Sequence, residues 1–181
     1  TSGTIINQGM VDIDQTLTVA DNFDTRDGQI DIASGQALNV DGTLTIGSDT
    51  ALTGAGTISV GSTSVLDIAS GETFTLTTLT PDLDFGNSST FGGAGTLRVN
   101  SDVSFDIGGF TLAPGEITNN GTITVDSASG TLGADTIGGT GSLAIITNSD
   151  FGATLVLSDD VTNASGHTIA FDASDGILAQ G

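Results

Sequence analysis

The sequence predicts an all-β protein built as a parallel β-solenoid, in which short strands stack coil upon coil. Three observations support this prediction. Apolar and polar residues alternate through most of the chain, short segments recur along it, and helix formers and large aromatic residues are scarce. The 181 residues include 27 Gly and 8 Phe, only two Lys or Arg, and no Tyr or Trp.

The alternation follows one pattern: Gly, then Thr or a similar residue, then an aliphatic, a variable and a second aliphatic residue. The clearest examples are Gly42–Ile46, Gly56–Val60, Gly95–Val99, Gly121–Val125 and Gly141–Ile145. A period of two places both aliphatic side chains on one face of a strand and the middle residue on the other. Most middle residues are polar, as Thr45, Ser59 and Arg98 are, so we expect them to face outward.

A second series of predicted strands carries Asp in the middle position. Its members are Ile30–Ile32, Leu66–Ile68, Leu83–Phe85 and Phe105–Ile107. β-branched residues and Thr favour the extended state, and no segment keeps the apolar spacing of an amphipathic helix. We therefore expect almost no helix.

Longer segments recur at intervals that suit a solenoid. Asp31–Gly35 reappears identically as Asp67–Gly71, and Leu52–Ile58 has echoes at Phe91–Leu97 and Ile137–Leu143. These offsets indicate pairs of coils of roughly 18 to 23 residues each, within the range of known solenoid repeats, and hence about eight to ten short coils. A β-sandwich is the alternative, but it would need about seven longer strands.

The chain shows no domain boundary, so residues 1–181 are predicted to form a single solenoid segment. Residues 150–181 are less regular and are expected to form a terminal or capping coil. Pro81 and Pro114 are expected in turns, where a missing N–H costs no ladder hydrogen bond. No secretion leader is visible, which indicates a processed chain or an excerpt.

The charge excludes several classes of partner. Twenty-two acidic residues against two basic ones give a net charge of −20. Such a chain repels nucleic acid and anionic membrane surfaces. Its apolar runs are too short to insert into a bilayer. The absence of Cys excludes disulfides and thiolate-bound zinc.

Several repeats resemble those of a known class of bacterial proteins. The units Asn119–Val125 and Gly93–Val99 are similar to the passenger repeats of autotransporter and filamentous-haemagglutinin-type exoproteins. The resemblance spans about Thr4 to Ile145 and concerns the style of the repeats. It implies a right-handed parallel β-helix, an extracellular or cell-surface location, and a role in adhesion or fibre formation. It supplies no catalytic residues.

The abundant Asp residues support two interpretations. The simpler one is solvation of a strand-rich surface. The other is calcium, for which Asp21, Asp24 and Asp27 in one turn form the best local candidate. A surface Asp face is also expected, formed by Asp31, Asp67 and Asp106 stacked on one side, where like charges would call for a counter-ion. No other cofactor is expected.

The sequence does not indicate an enzyme. His167 is the only imidazole and is expected at the surface, in a turn or at the start of a strand. A polysaccharide-active β-helix enzyme is the less favoured alternative. Its carboxylate pair could be drawn from many Asp residues, but no Trp or Tyr is present to stack on sugar rings.

These observations predict a structural and adhesive β-solenoid segment of a secreted or surface-displayed bacterial protein. The alternative is a subunit of a self-assembling extracellular filament, joined by head-to-tail stacking or strand exchange. The expected partners are other copies of the chain, or host and cell-surface ligands such as glycans or proteins.

Overall fold

The computed structural model describes residues 3–106, 109–125, 130–145, 154–157, 162–171 and 176–179. These residues form a parallel β-solenoid, and no helix occurs among them, so none that could cross a membrane is found there. About six turns lie between Thr4 and Val125, and further strands continue the stack. The predicted solenoid is confirmed. Every strand pairing among these residues is parallel, so the antiparallel β-sandwich alternative is wrong.

The strands are mostly three or four residues long. The first three coils contain β1 (Thr4–Ile6), β2 (Met10–Ile13), β3 (Leu17–Val19), β4 (Asn22–Asp24), β5 (Gln29–Ile32), β6 (Ala37–Val40), β7 (Thr43–Ile46), β8 (Ala51–Gly54) and β9 (Thr57–Val60). The next three contain β10 (Val65–Ile68), β11 (Thr73–Leu76), β12 (Asp82–Phe85), β13 (Thr90–Val99), β14 (Ser104–Asp106), β15 (Thr111–Asn119) and β16 (Thr122–Val125). The remaining strands are β17 (Gly130–Leu132), β18 (Thr136–Gly138), β19 (Ser142–Ile145), β20 (Thr154–Leu157), β21 (Thr162–Asn163), β22 (Thr168–Phe171) and β23 (Gly176–Ala179).

The strands form four sheets that run along the solenoid. The main sheet has the order β1-β4-β7-β10-β13-β15-β17-β20-β23, with β11, β18 and β21 attached to it. The second sheet is β2-β5-β8, the third is β12-β9-β6-β3, and the fourth is β14-β16-β19-β22. Each early coil therefore has three sides, one in each of the first three sheets. Strands β20 to β23 lie in the segment expected to form a cap; whether it is a cap stays a prediction.

The coil length varies more than the sequence predicted. Register partners in the main sheet are 18 residues apart at Ile5 and Phe23, and 25 apart at Leu66 and Phe91. The longest coil among the first six is thus the one that contains β12. Its extra length lies in the five-residue connection between β11 and β12.

The core is a column of apolar side chains that stack in register from coil to coil. In the main sheet the column consists of Phe23, Leu44, Leu66, Phe91, Leu112 and Leu132, all of them buried. Between such residues the outward positions stay accessible. Thr45, Ser59 and Arg98 are half-buried or exposed, as the alternation predicted.

Two of the recurring segments pack against each other at a corner of the coil. Gly54 has φ +104° and Gly93 has φ +104°. A Cβ on either would overlap the backbone carbonyl oxygen of the coil below, at Ile32 and Ile68 respectively. These Ile residues belong to the identical segments Asp31–Gly35 and Asp67–Gly71. Each corner therefore consists of two recurring segments. One copy of the identical segment lies in the lower coil, and a glycine-containing segment crosses it in the next coil.

The two copies of this corner lie at different places in the coil. Ile32 ends β5 in the second sheet, whereas Ile68 ends β10 in the main sheet. Two full coils separate Asp24 from Asp67, which share Thr45 as their register partner. The identical segments Asp31–Gly35 and Asp67–Gly71 are separated by fewer residues than Asp24 and Asp67 are. The prediction that these segments lie two whole coils apart is therefore wrong.

Pro114 also departs from expectation, because it lies within β15 rather than in a turn. It is paired with Gly93, just before the register of β13 and β15 shifts. A bulge is one of the few places in a sheet where the missing N–H of proline is tolerated.

The corner geometry leads to a graded stability prediction. We expect Gly9→Ala to be nearly neutral, because its φ is not positive and nothing lies within 4 Å of the added Cβ. Gly35→Ala, at φ +77° but in open space, should cost about 1–2 kcal/mol. Gly54→Ala should cost more than either, since overlap with Ile32 adds to the strain. Urea unfolding measures all three, and equal losses for Gly35→Ala and Gly54→Ala would contradict the corner packing.

Candidate functional site

The structure gathers charged side chains around Arg26, one of the two cationic residues in the chain. Arg26 donates from Nε to Asp24 Oδ1 at 2.9 Å and from Nη2 to Asp24 Oδ2 at 2.6 Å. This paired hydrogen bond holds the pKa of the Asp24 carboxyl below its usual value. Glu72 accepts from the Ser48 N–H at 3.0 Å, and its pKa is lowered too. The cluster thus contains one ion pair, Arg26 with Asp24, and Glu72 attracts Arg26 without a direct contact.

The calcium site predicted at Asp21, Asp24 and Asp27 is not assembled. The Asp24 carboxylate is occupied by Arg26, while Asp21 and Asp27 are exposed in the turns on either side of β4. Throughout the described ranges, no group of three or more His, Cys, Asp or Glu side chains could hold a metal ion.

The surface Asp face is likewise not formed, because its three members lie in three different sheets. Asp31 is in the second sheet, Asp67 in the main sheet and Asp106 in the fourth. The physical reason is that the separations between these residues along the chain are not whole numbers of coils. The register partners of Asp31 are Asp12 and Thr53, and the Thr53 hydroxyl donates to its carboxylate. Asp31 thus lies between another aspartate and a neutral threonine that donates to it.

Asp67 is an acid on the main sheet whose pKa shifts in the direction opposite to that of Asp24. Its side chain is half-buried, and burial raises the pKa of its carboxyl. Asp24 lies two strands away on the same sheet, about 9.6 Å at ordinary strand spacing. Carboxyls whose pKa values shift in opposite directions occur in acid–base sites. Here Arg26 donates to both carboxylate oxygens of Asp24, which favours the charged form of that carboxyl.

His167 is buried, contrary to the prediction of a surface histidine. Only 7% of its surface is exposed, although it does precede a strand, β22, as expected. Its Nδ1 lies 2.8 Å from Asn163 Oδ1, and its Nε2 lies 3.2 Å from Asn119 Nδ2. Burial lowers the pKa of its imidazole.

The hydrogen bonds of Asn119 define the form of His167. Asn119 Oδ1 accepts from the Gly121 N–H at 3.1 Å, which directs Asn119 Nδ2 toward the imidazole as a donor. His167 Nε2 must then accept, and Nδ1–H donates to Asn163. The ring is therefore neutral and joined to two coils. Both nitrogens are engaged, so the ring is a structural link.

A groove between β12 and β14 is the candidate site that sequence reasoning missed. Its volume is about 600 Å³, within the range of ligand sites. β12 is the last strand of the third sheet and β14 the first of the fourth, and they are not paired with each other among the described residues. The stack of strands on this side is therefore interrupted, and the groove occupies the interruption.

The groove has an apolar floor and an acidic rim. Leu83, Phe85 and Phe110 lie along it, and the rings of Phe85 and Phe110 are stacked with centroids 4.2 Å apart. Asp82 and Asp84, both exposed, form its rim on β12. Asp102, also exposed, lies at its rim in the turn before β14. Leu83 is only half-buried, whereas its register partner Ile58 is fully buried. The core is thus open to solvent at this point.

One sequence feature could have indicated the groove. The connection Thr77–Pro81 is longer than the two residues that join β8 to β9 in the coil before. It forms its own turn, in which the Thr80 N–H donates to the Thr77 carbonyl at 3.1 Å. Leu79 at its tip is 71% exposed. An insertion with an exposed Leu beside a strand marks a departure from regular stacking.

The lowered pKa of His167 predicts a pH-dependent stability. The unfolded chain, with a histidine pKa of about 6.5, binds the proton more readily than the folded one. The free energy of unfolding should therefore have its full value above about pH 6.5 and should decrease as the pH falls from there toward the lowered pKa of the folded state. Urea unfolding at pH 7.5, 6.5 and 5.5 measures this fall. His167→Gln should flatten it, and an unchanged fall in that variant would contradict the assignment.

Comparison with known proteins adds no further assignment. No protein-family model, curated protein or solved structure matches the chain.

Proposed function

We propose that the chain is a structural and adhesive β-solenoid segment of a secreted or surface-displayed bacterial protein. The observation that carries this proposal is the continuous buried column of apolar side chains, surrounded by short polar and acidic ones. A solenoid of this kind gains stability from each coil that stacks on the next, and it presents a long lateral surface. The repeat style of autotransporter and filamentous-haemagglutinin-type exoproteins points in the same direction.

The acidic exterior suits such a segment. A net charge of −20 keeps separate rods apart in solution and opposes pairing of exposed strand edges. The two asparagines on His167 support a non-catalytic role, because they occupy both ring nitrogens. The bidentate pairing of Asp24 with Arg26 argues in the same way against an acid–base carboxylate there.

The proposal predicts that the chain makes cells adhesive. Bacteria that display it through an outer-membrane anchor should bind to glass, polystyrene or one another more than cells with the anchor alone. A matched control is Leu66→Asp, which buries a charge at a fully buried position and should unfold the coil. Retention under flow and settling of the culture measure the effect. Equal retention for the chain and the anchor alone would refute an adhesive role.

The second candidate function, a self-assembling filament, is favoured by the first coil. Ile5, Ile6 and Met10 are 56%, 68% and 63% exposed, and Leu17 is 40% exposed. The equivalent position to Ile5 in the next coil, Phe23, is only 3% exposed. β1, β2 and β3 are each the end strand of a sheet path. We propose that a coil of a second copy covers this surface and extends the parallel ladders head-to-tail.

This candidate predicts assembly that depends on the first coil. Sedimentation velocity should show species that grow with protein concentration and with salt, because salt screens the repulsion between acidic rods. Ile6→Lys with Met10→Lys should return the protein to monomers. The control Leu79→Lys changes an exposed apolar residue elsewhere and should leave assembly intact. A single monomeric species of the unmodified chain at every concentration and salt would exclude the filament.

A further inference from the structure

We propose that the groove between β12 and β14 binds an extended peptide segment of another protein, in which apolar and basic residues alternate. The peptide would insert as the missing strand, parallel to its neighbours. This inference deepens the proposed adhesive function. It rests on that function in one respect, namely that the solenoid carries binding sites for partner proteins.

The first argument is the interruption of the sheet stack. In the four coils before it, β3, β6, β9 and β12 pair in order, and β14, β16, β19 and β22 do so after it. Between β12 and β14 the pairing is absent among the described residues, and the groove lies there. The backbone along Asp82–Asp84 and the start of β14 border this groove. An extended peptide can hydrogen-bond to such strand edges, as in other cases of strand addition.

The second argument is the open core beneath the groove. Leu83 and Val103 are half-buried beside the stacked rings of Phe85 and Phe110. The side chains of a strand point to alternate faces. Every second residue of an inserted strand would therefore meet this apolar floor, and an aliphatic side chain would extend the column of Leu38, Ile58 and Leu83.

The third argument is charge complementarity at the rim. The residues between the aliphatic ones would face outward, next to the exposed carboxylates of Asp82 and Asp84 and close to Asp102. Lys or Arg at those places would pair with them. A second copy of this chain cannot supply such a strand, since it has no Lys, Arg26 is paired with Asp24, and Arg98 lies within the main sheet. The partner is therefore a different polypeptide.

Carbohydrate and metal ligands fit this groove less well. The chain has no Trp or Tyr to stack on a sugar ring. Among the residues that the structure places, the rim carboxylates do not form a group able to hold a metal ion. The alternation of an apolar floor and an acidic rim matches the two faces of a β-strand.

The test is a binding measurement with the purified full chain. The probe is a fluorescein-labelled, capped hexapeptide of alternating Lys and Val, followed by fluorescence anisotropy. Three control peptides test the three arguments separately. The first has Glu in place of Lys, the second has the same residues in two blocks, and the third is the alternating peptide with N-methylated backbone amides. We expect saturable binding of the alternating Lys and Val peptide and little binding of the three controls.

The matched protein variants keep the net charge equal. Asp82→Asn with Asp84→Asn and Asp102→Asn should weaken binding about tenfold, because three exposed charge pairs are lost. The control variant, Asp12→Asn with Asp14→Asn and Asp49→Asn, neutralises three exposed acids that lie outside the groove. It should change the peptide affinity little. Equal weakening by both triple variants, or equal binding of all four peptides, would overturn the proposal. So would the absence of binding to the unmodified chain, whatever the outcome of the cell-adhesion assay.

Discussion

Every part of this molecule depends on the parallel ladder that joins each coil to the next. The ladder holds the backbones about 4.8 Å apart, so each residue of one coil lies directly over its register partner in the coil below. This constraint produces the column from Phe23 to Leu132, in which each apolar side chain lies over an apolar side chain of the coil below. It also leaves almost no room at the corners, which is why Gly54 and Gly93 pass so close to carbonyl groups of the preceding coil.

The ladder explains what could be predicted from the sequence and what could not. The alternation of apolar and polar residues is local, so it indicated which side chains of each strand face inward. The side of the coil on which a residue lies depends on the summed length of all the connections before it. Small variations in those lengths separated Asp31, Asp67 and Asp106 into three sheets. The same accumulation hid the groove, which begins with the longer connection at Thr77–Pro81.

The burial of His167 also could not be predicted from the sequence, and the reason is related. Its partner Asn119 lies 48 positions earlier in the chain, and only coil stacking brings the two together. A polar residue in a turn usually faces solvent, and here it closes a hydrogen-bonded link between coils instead. Asn7 performs a similar task near the start, where its Nδ2 donates to Thr25 Oγ1 and to the Gln29 carbonyl. Buried asparagine corners thus add polar specificity to a core otherwise made of aliphatic side chains.

The corner shared by Ile32 and Gly54 on one side, and by Ile68 and Gly93 on another, has a geometric consequence. In both places a glycine at φ +104° crosses the backbone of an isoleucine in the coil below. Ile32 ends a strand of the second sheet and Ile68 ends a strand of the main sheet, so the same local backbone arrangement occurs at two different places around the coil. The corner motif is therefore defined by its contact with the coil below and not by the sheet in which it occurs.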